Sequence, residues 1–204
     1  MAPKPEPTFT FSNVAEWDAW LAAHHARSGA VLVRIPKGKG STLTYAAVLD
    51  AALSWGWIDS QKRALDASAW LQRFSARTSR SPWSRANRVR AEALIASGAM
   101  KPAGRAEVER ARADGRWERA YEGSRSVVVP ADLAAALARN PRARAFFVKL
   151  DRANRYAILW RVHNAVKPET RARRIDQFVA LCGAGKTLHP AREKKAQARR
   201  RTSS

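Results

Sequence analysis

Three short β-like runs lie in the first half of the sequence, while the other patterned segments have helical spacing. The runs are Val31–Pro36, a run that begins at Trp57, and residues 70–74. β-branched and aromatic residues favour strands, and the proline closes the first run. Such short strands bury their apolar side chains by packing against helices. The sequence therefore predicts an α+β fold: a small three-stranded antiparallel sheet with helices packed on one face, followed by a C-terminal all-helical subdomain.

Helix-start residues divide the rest of the chain. A capping side chain before an apolar-periodic segment, or a proline at the first helical position, marks where a helix begins. These signals predict helices over about 14–26, 45–54 and 85–97, and others that begin at Pro102, Pro130, Asn140-Pro141, Asp151 and Pro168. The pattern predicts four segments: a flexible leader over 1–10, an α+β domain over 11–125, a helical module over 126–185, and a basic disordered tail over 186–204.

The chain is strongly basic, with 38 Lys+Arg against 17 Asp+Glu and a formal net charge of +21. Such an excess attracts polyanions, so DNA, RNA or an acidic protein is a possible partner. The alternative is a solvated basic surface in a chain rich in Ala and Arg. The candidate nucleic-acid contacts lie in the last helix and the tail: Arg171, Arg173, Arg174, Lys194, Lys195, Arg199, Arg200 and Arg201.

The sequence also indicates in which cellular compartment the protein is expected. It has no apolar run long enough for a membrane helix, and its polar, proline-rich start does not resemble a secretory signal. Its one cysteine, Cys182, falls at an apolar position of a helical pattern. A single thiol fits a reducing environment. We therefore expect a cytoplasmic protein.

Catalytic and metal-binding motifs are sparse. The four histidines form no His-Glu-x-x-His pattern, and there is no cysteine pair or acidic cluster. Gly38-Lys39-Gly40-Ser41 is similar to the end of a phosphate-binding loop but lacks its upstream glycine. We expect no metal and no cofactor, and the sequence favours a non-enzymatic role.

The most distinctive cluster combines aromatic, acidic and basic residues near the predicted strands. Strict alternation along the second strand places one set of residues on one face (Trp57, Asp59 and Gln61) and the other set on the opposite face (Ile58, Ser60 and Lys62). Asp59 and Arg73 would lie on neighbouring strands and could form an ion pair. Tryptophan and arginine side chains can stack planar groups and bind anions, but they can also serve as scaffold. The candidate ligand-binding residues are Trp55, Trp57, Asp59, Gln61, Arg73, Arg77, Trp83 and Asn87.

Several motifs in the C-terminal part occur in combination. They are Pro130-Ala131-Asp132-Leu133, Asn140-Pro141, Asn154-Arg155-Tyr156 and Lys167-Pro168-Glu169-Thr170-Arg171. This combination resembles the YdeI/OmpD-associated (bacteriocin-protection) family. Upstream, Gly56-Trp57-Ile58-Asp59 and Gln72-Arg73-Phe74 are similar to longer members, so that the resemblance spans roughly residues 9–190. Where those members often carry a cysteine two residues before the glycine, this chain has Ser54, which argues against thiol chemistry there.

The resemblance implies a link to tolerance of bacteriocins and cationic antimicrobial peptides, an envelope stress. A chain of net charge +21 repels a cationic peptide, which excludes sequestration by simple charge attraction. The first hypothesis is therefore a non-enzymatic protective protein that acts through an unidentified ligand or partner. The alternatives are a nucleic-acid-binding protein and an enzyme with its site around Trp57, Asp59 and Arg73.

Overall fold

The structure is a computed structural model that describes residues 5–38, 40–123 and 127–190. The chain divides into two compact units, Met1–Ala120 and Tyr121–Ser204. The division falls between residues 120 and 121, whereas the sequence pattern predicted a boundary between residues 125 and 126. Within the described residues, no helix has the length and apolar character needed to cross a membrane.

The first unit contains a mixed four-stranded sheet. Its strands are β1 (Thr8–Phe9), β2 (Val31–Pro36), β3 (Trp57–Ala64) and β4 (Ala69–Ala76), in the order β1-β2-β4-β3. β1 pairs with β2 in parallel, and the other neighbours are antiparallel. The α+β class is confirmed, but the prediction of a three-stranded, fully antiparallel sheet is wrong.

The additional strand lies inside the segment that the sequence predicted as a flexible leader. Thr8 pairs with Leu32 and Phe9 with Val33. The backbone N–H of Leu32 also donates to the carbonyl of Pro7. Phe9 packs against the core of the first unit, so burial of one aromatic ring helps to hold this short strand.

In the described part of the first unit, four helices accompany the sheet: α1 (Val14–His24), α2 (Tyr45–Ser54), α3 (Arg85–Ala96) and α4 (Pro102–Ala113). The side chains of Asn13, Thr44 and Ser84 each accept a backbone N–H in the first turn of α1, α2 and α3. These caps confirm the predicted helix starts. The core contains Trp17, Val33, Ile35, Trp57 and Phe74, all fully buried.

Gly56 connects α2 to β3 with a φ of +76°, a conformation that other residues adopt at a cost. A Cβ at this position would also lie 2.9 Å from Cγ of Glu107. Trp57 and Asp59 follow this turn. Both lie on the sheet face that carries Phe74 and Val31, which is the face toward the helices.

A β-bulge interrupts β3. Asp59 is paired with Phe74 and Lys62 with Gln72, so β3 contains one residue more than β4 over this interval. Phe74 and Gln72 lie on the same face of β4, which places Lys62 on the same face as Asp59. The alternation predicted from the sequence, with Lys62 on the opposite face, is therefore wrong beyond Ser60.

The second unit is helical, with α5 (Ala131–Ala138), α6 (Pro141–Lys149), α7 (Arg152–His163) and α8 (Pro168–Gly183). Asn140 and Asp151 cap α6 and α7 with their side chains, as predicted. The core includes Leu133, Phe147, Ile158, Ile175 and Phe178.

The predicted disordered tail begins too early. Leu188 packs against this core, and the backbone N–H of His189 donates to Oδ1 of Asn154 at 2.9 Å. One apolar side chain and one buried amide therefore fix a segment whose composition lacks helical periodicity. Residues 191–204 lie outside the described part.

Candidate functional site

The site is built around a hydrogen bond between the first residue of α2 and a carboxylate on β3. The hydroxyl of Tyr45 donates to Oδ2 of Asp59 at 2.7 Å. Burial, together with the adjacent carboxylate, raises the pKa of Tyr45 well above its ordinary value of 10.0. The phenol therefore stays protonated and holds one oxygen of Asp59 as a fixed acceptor.

Lys62 lies on the same sheet face because of the bulge. Its Nζ is 4.0 Å from the centre of the Trp70 ring, a cation–π contact. Neither Lys62 nor Asp59 has an ion-pair partner within 4.0 Å among the described residues. Tyr45 thus holds the carboxylate of Asp59, and Trp70 holds the ammonium of Lys62. The two charged groups do not form an ion pair with each other.

Gln72 forms the floor between these groups and is buried. Its side-chain N–H₂ donates to the carbonyl oxygens of Ser60 and Gln61, at 3.3 and 3.4 Å. These two residues form the bulge, so the buried amide stabilises the irregularity that turns Lys62 toward Asp59.

Together these side chains line a pocket of about 300 Å³, which we call the Asp59 pocket. Its lining residues are Tyr45, Asp59, Ser60, Lys62, Trp70 and Gln72. The indole N–H of Trp70 is buried and has no hydrogen-bond partner among the described residues. The pocket is large enough for a small ligand, and it presents opposite charges between aromatic walls.

Of the eight residues that the sequence singled out, Asp59 is the one that lines this pocket. Trp57 is fully buried, and its Nε1 donates to the carbonyl of His25 at 3.1 Å. Nε1 of Trp55 donates to Oδ1 of Asp18 at 2.8 Å. Gln61 is exposed within the bulge and accepts from Arg63. Trp55 and Trp57 therefore tie α1 to the segment that follows α2.

Arg73 lies on the other face of the sheet. The cross-strand partner of Asp59 is Phe74, and Arg73 is its neighbour along the strand, so its side chain points away from Asp59. Arg73 instead pairs with Glu6 at 2.7 Å and donates to Oγ of Ser60 at 3.2 Å. The predicted Asp59–Arg73 pair is wrong because the register differs by one residue.

The remaining candidates belong to a buried aromatic cluster. The guanidinium of Arg77 lies 3.6 Å from the centre of the Trp83 ring and donates to the carbonyl of Pro82. Trp83 packs edge-on against Trp117, with the ring centres 4.8 Å apart. Asn87 is buried in the first turn of α3. Arg77, Trp83 and Asn87 are all buried within the first unit.

Sequence reasoning missed Tyr45, Lys62, Trp70 and Gln72. Tyr45 fitted the apolar spacing of a helix, and Trp70 and Gln72 fitted a strand. The bulge that displaces Lys62 has no signature in the sequence. The local sequence of α2 and β3 carries no signal for the contact between Tyr45 and Asp59.

A second pocket of about 480 Å³ lies against α1 and α2 and is lined mainly by small apolar side chains. Two carboxylates border it. Asp18 accepts from Trp55 and lies 4.0 Å from Lys101, while Asp50 pairs with Arg90 at 2.7 Å. Both carboxylates thus have a cationic partner within the fold, whereas Asp59 has none among the described residues.

The candidate nucleic-acid residues of α8 are mostly engaged within the second unit. Arg171 forms a two-pronged contact with Asp132 and donates to the carbonyl of Val162. The guanidinium lowers the pKa of Asp132. Arg174 donates to the carbonyl of Arg161. Arg173 is exposed. The other candidates, Lys194, Lys195, Arg199, Arg200 and Arg201, lie outside the described residues.

Reactive groups of other kinds are few in the part of the chain that the structure describes. It contains no group of three or more His, Cys, Asp or Glu side chains that could hold a metal ion. Cys182 is buried in the core of the second unit, and burial raises the pKa of its thiol. That thiol is therefore a poor nucleophile.

Comparison with known proteins gives two matches to family models. Residues 9–107, which include the Asp59 pocket, match a domain of unknown function (DUF8412). Residues 126–185 match the family described as Bacteriocin-protection, YdeI or OmpD-Associated. No curated protein and no solved structure matches the chain. The family resemblance is thus confirmed for residues 126–185, while the upstream part matches a separate model.

Proposed function

We propose that this chain, whose residues 126–185 form a YdeI/OmpD-associated module, is a non-enzymatic binding protein that supports tolerance of bacteriocins or cationic antimicrobial peptides. The observation that carries the binding role is the Asp59 pocket. It presents, between aromatic side chains, an ammonium without an ion-pair partner among the described residues and a carboxylate that accepts one hydrogen bond from Tyr45. In this account the pocket holds the ligand and the module supplies the link to protection.

The charge of the chain supports an indirect mode of action. At a net charge of +21, the protein as a whole repels a cationic peptide in solution. Protection therefore proceeds through another molecule, and the pocket is where the first unit can hold it.

The chemistry of the pocket supports binding more than reaction. The raised pKa of Tyr45 makes its hydroxyl a persistent donor that is rarely ionised and so rarely able to act as a general base. Its bond to Asp59 occupies the one carboxylate of the pocket. Lys62 rests on the face of Trp70, where it can attract an anion. Each group thus acts as a fixed recognition element.

Complementation of a strain that lacks the gene tests this function. Wild type and the control variant Glu109→Gln, which changes an exposed acid of α4 outside the pocket, should restore tolerance of a cationic peptide such as polymyxin. Asp59→Asn should fail to restore it while melting close to wild type. Full protection by Asp59→Asn, or a deletion strain with normal tolerance, would contradict the proposal.

We also propose a cytoplasmic location, supported by the cysteine content of the chain: Cys182 is its one cysteine and is buried, so the chain has no pair for an intramolecular disulfide. Cell fractionation tests this directly. Recovery of most of the protein from the periplasm would contradict it and would favour direct action at the envelope.

A second candidate function is binding to a polyanion such as DNA or RNA. Its support is the composition of α6 and α7, which carry arginine and lysine but no acidic residue. Arg142, Arg144, Lys149 and Arg152 are exposed on these helices. Phosphate contacts of this kind produce a steep dependence of affinity on salt, which distinguishes this function from ligand binding in the Asp59 pocket.

A further inference from the structure

We propose that the Asp59 pocket recognises a free amino acid or a close analogue, a small zwitterion whose ammonium binds Asp59 and whose carboxylate binds Lys62. This inference rests on the proposed binding function and names the class of ligand for the same site. It follows from the way in which the two charges are held.

Opposite charges that line one small pocket ordinarily pair with each other. Here they do not, since Asp59 accepts from Tyr45 and Lys62 lies over the ring of Trp70. A ligand that carries one positive and one negative group can therefore bridge them. Each contact would be a charge-assisted hydrogen bond.

Ligands with charge of a single sign fit this pocket less well. A cation attracted by Asp59 also meets the ammonium of Lys62, and an anion attracted by Lys62 meets the carboxylate of Asp59. Like charges within one small pocket destabilise a complex. A zwitterion satisfies both groups, and the desolvation of each charge is offset by a partner.

The rest of the pocket suits an amino acid as well. Trp70 lines the pocket, and its indole N–H is buried without a hydrogen-bond partner among the described residues. The side chains of Tyr45 and Trp70 give the ligand's own side chain aromatic surfaces to pack against. The volume of about 300 Å³ lies at the small end of the range for ligand sites.

Calorimetric titration of the full-length protein tests the proposal with three matched probes. L-Phenylalanine carries both charges, phenethylamine lacks the carboxylate, and 3-phenylpropionate lacks the ammonium. We expect L-phenylalanine to bind wild type at least about tenfold more tightly than either single-charge probe, which is the order expected for one charge-assisted contact.

The variants assign each charge to its partner. Asp59→Asn and Lys62→Gln should each weaken L-phenylalanine binding by about tenfold or more. The matched controls Glu109→Gln and Lys167→Gln, which change exposed residues outside the pocket, should leave it unchanged. Lys62 is exposed, so Lys62→Gln remains informative even if a change at Asp59 perturbs folding.

Two results would overturn the proposal: equal affinity for a single-charge probe and the zwitterion, or no binding of L-phenylalanine, glycine, L-leucine or L-arginine at millimolar concentration. Such a failure is distinguishable from failure of the proposed function. If no amino acid binds but Asp59→Asn still abolishes protection, the ligand class is wrong and the function stands. If an amino acid binds but Asp59→Asn protects fully, the function is wrong and the ligand class stands.

Discussion

The hydroxyl of Tyr45 donates a 2.7 Å hydrogen bond to Oδ2 of Asp59, which joins the first turn of α2 to the start of β3. The bond fixes the orientation of the carboxylate at the edge of the Asp59 pocket. It also leaves the second carboxylate oxygen without a hydrogen-bond donor among the described residues. The bond therefore serves both the stability of the first unit and the recognition of a ligand.

Replacement of Tyr45 by Phe should destabilise the first unit, because Asp59 loses its donor in a half-buried setting. We expect the free energy of unfolding to fall by about 1 to 2 kcal/mol, measured by chemical denaturation. Tyr156→Phe is the matched control, since the hydroxyl of Tyr156 makes no hydrogen bond within the described residues and its removal should change stability by about 0.5 kcal/mol or less. Equal effects of the two changes would contradict the role assigned to the Tyr45 hydroxyl.

Stability should decline at alkaline pH. The pKa of Tyr45 is raised, and that of Tyr156 is raised to about 12, mainly by burial. Because the folded state holds these phenolic protons more tightly, their contribution is fully present below the ordinary value of 10.0 and is lost as pH rises through the folded values. Tyrosinate absorbance should show delayed ionisation in the folded protein relative to the denatured one. Ionisation of all three tyrosines near the ordinary value would contradict this.

Arg73→Gln should leave ligand binding unchanged, since Arg73 and Asp59 lie on opposite faces of the sheet. The change removes the ion pair with Glu6, which is partly exposed and worth about 1 kcal/mol or less. Arg27→Gln, at an exposed position after α1, controls for the removal of one positive charge. If Arg73→Gln abolished amino acid binding while Arg27→Gln did not, the pocket as described would be wrong.

The acid stability of the second unit should depend on the Arg171–Asp132 pair. Arg171 lowers the pKa of Asp132, so the stabilisation is present above the ordinary carboxyl value of 3.8 and is lost as pH falls through the lower folded value. Asp132→Asn should remove this dependence, whereas Asp176→Asn, at an exposed position of α8, should preserve it. Identical acid denaturation profiles for wild type and Asp132→Asn would contradict the expectation.

Local signals in the sequence predicted the helix starts well. The side chains of Asn13, Thr44, Asn140 and Asp151 all accept backbone N–H groups in the first turns that they precede. A cap requires a few consecutive residues, so the sequence displays it directly. The apolar position of Cys182 in a helical pattern was visible for the same reason, and Cys182 is buried on α8 together with Ile175 and Phe178.

Features that depend on distant residues were not visible. β1 has two residues, too few for a periodic pattern, and it exists because it pairs with β2 and buries Phe9. The bulge in β3 depends on the amide of Gln72, which belongs to another strand. That one extra residue decides that Lys62, and not Gln61, lies beside Asp59. The sequence therefore included Asp59 among its candidate residues but gave it the wrong neighbour, since Lys62 and not Arg73 shares its sheet face.

The polyanion alternative predicts a specific salt dependence. Changing Arg142, Arg144 and Arg152 together to Gln should flatten the slope of log affinity against log salt by about 0.9 for each phosphate of duplex DNA that the variant no longer neutralises. The matched control changes Arg27, Arg80 and Arg105, exposed arginines of the first unit, and should leave the slope unchanged. Equal slopes for both triple variants, or no binding at low salt, would contradict a polyanion site on α6 and α7.

The most direct test of the Asp59 pocket is the indole N–H region of a two-dimensional ¹H–¹⁵N NMR spectrum, recorded during titration with L-phenylalanine. The chain has eight tryptophans, and a Trp70→Phe variant assigns the signal of interest. The Trp70 indole signal should shift in a saturable manner, while the buried Trp83 and Trp117 signals remain in place. No shift at Trp70, or a shift confined to Trp55 near the other pocket, would contradict ligand binding in the Asp59 pocket.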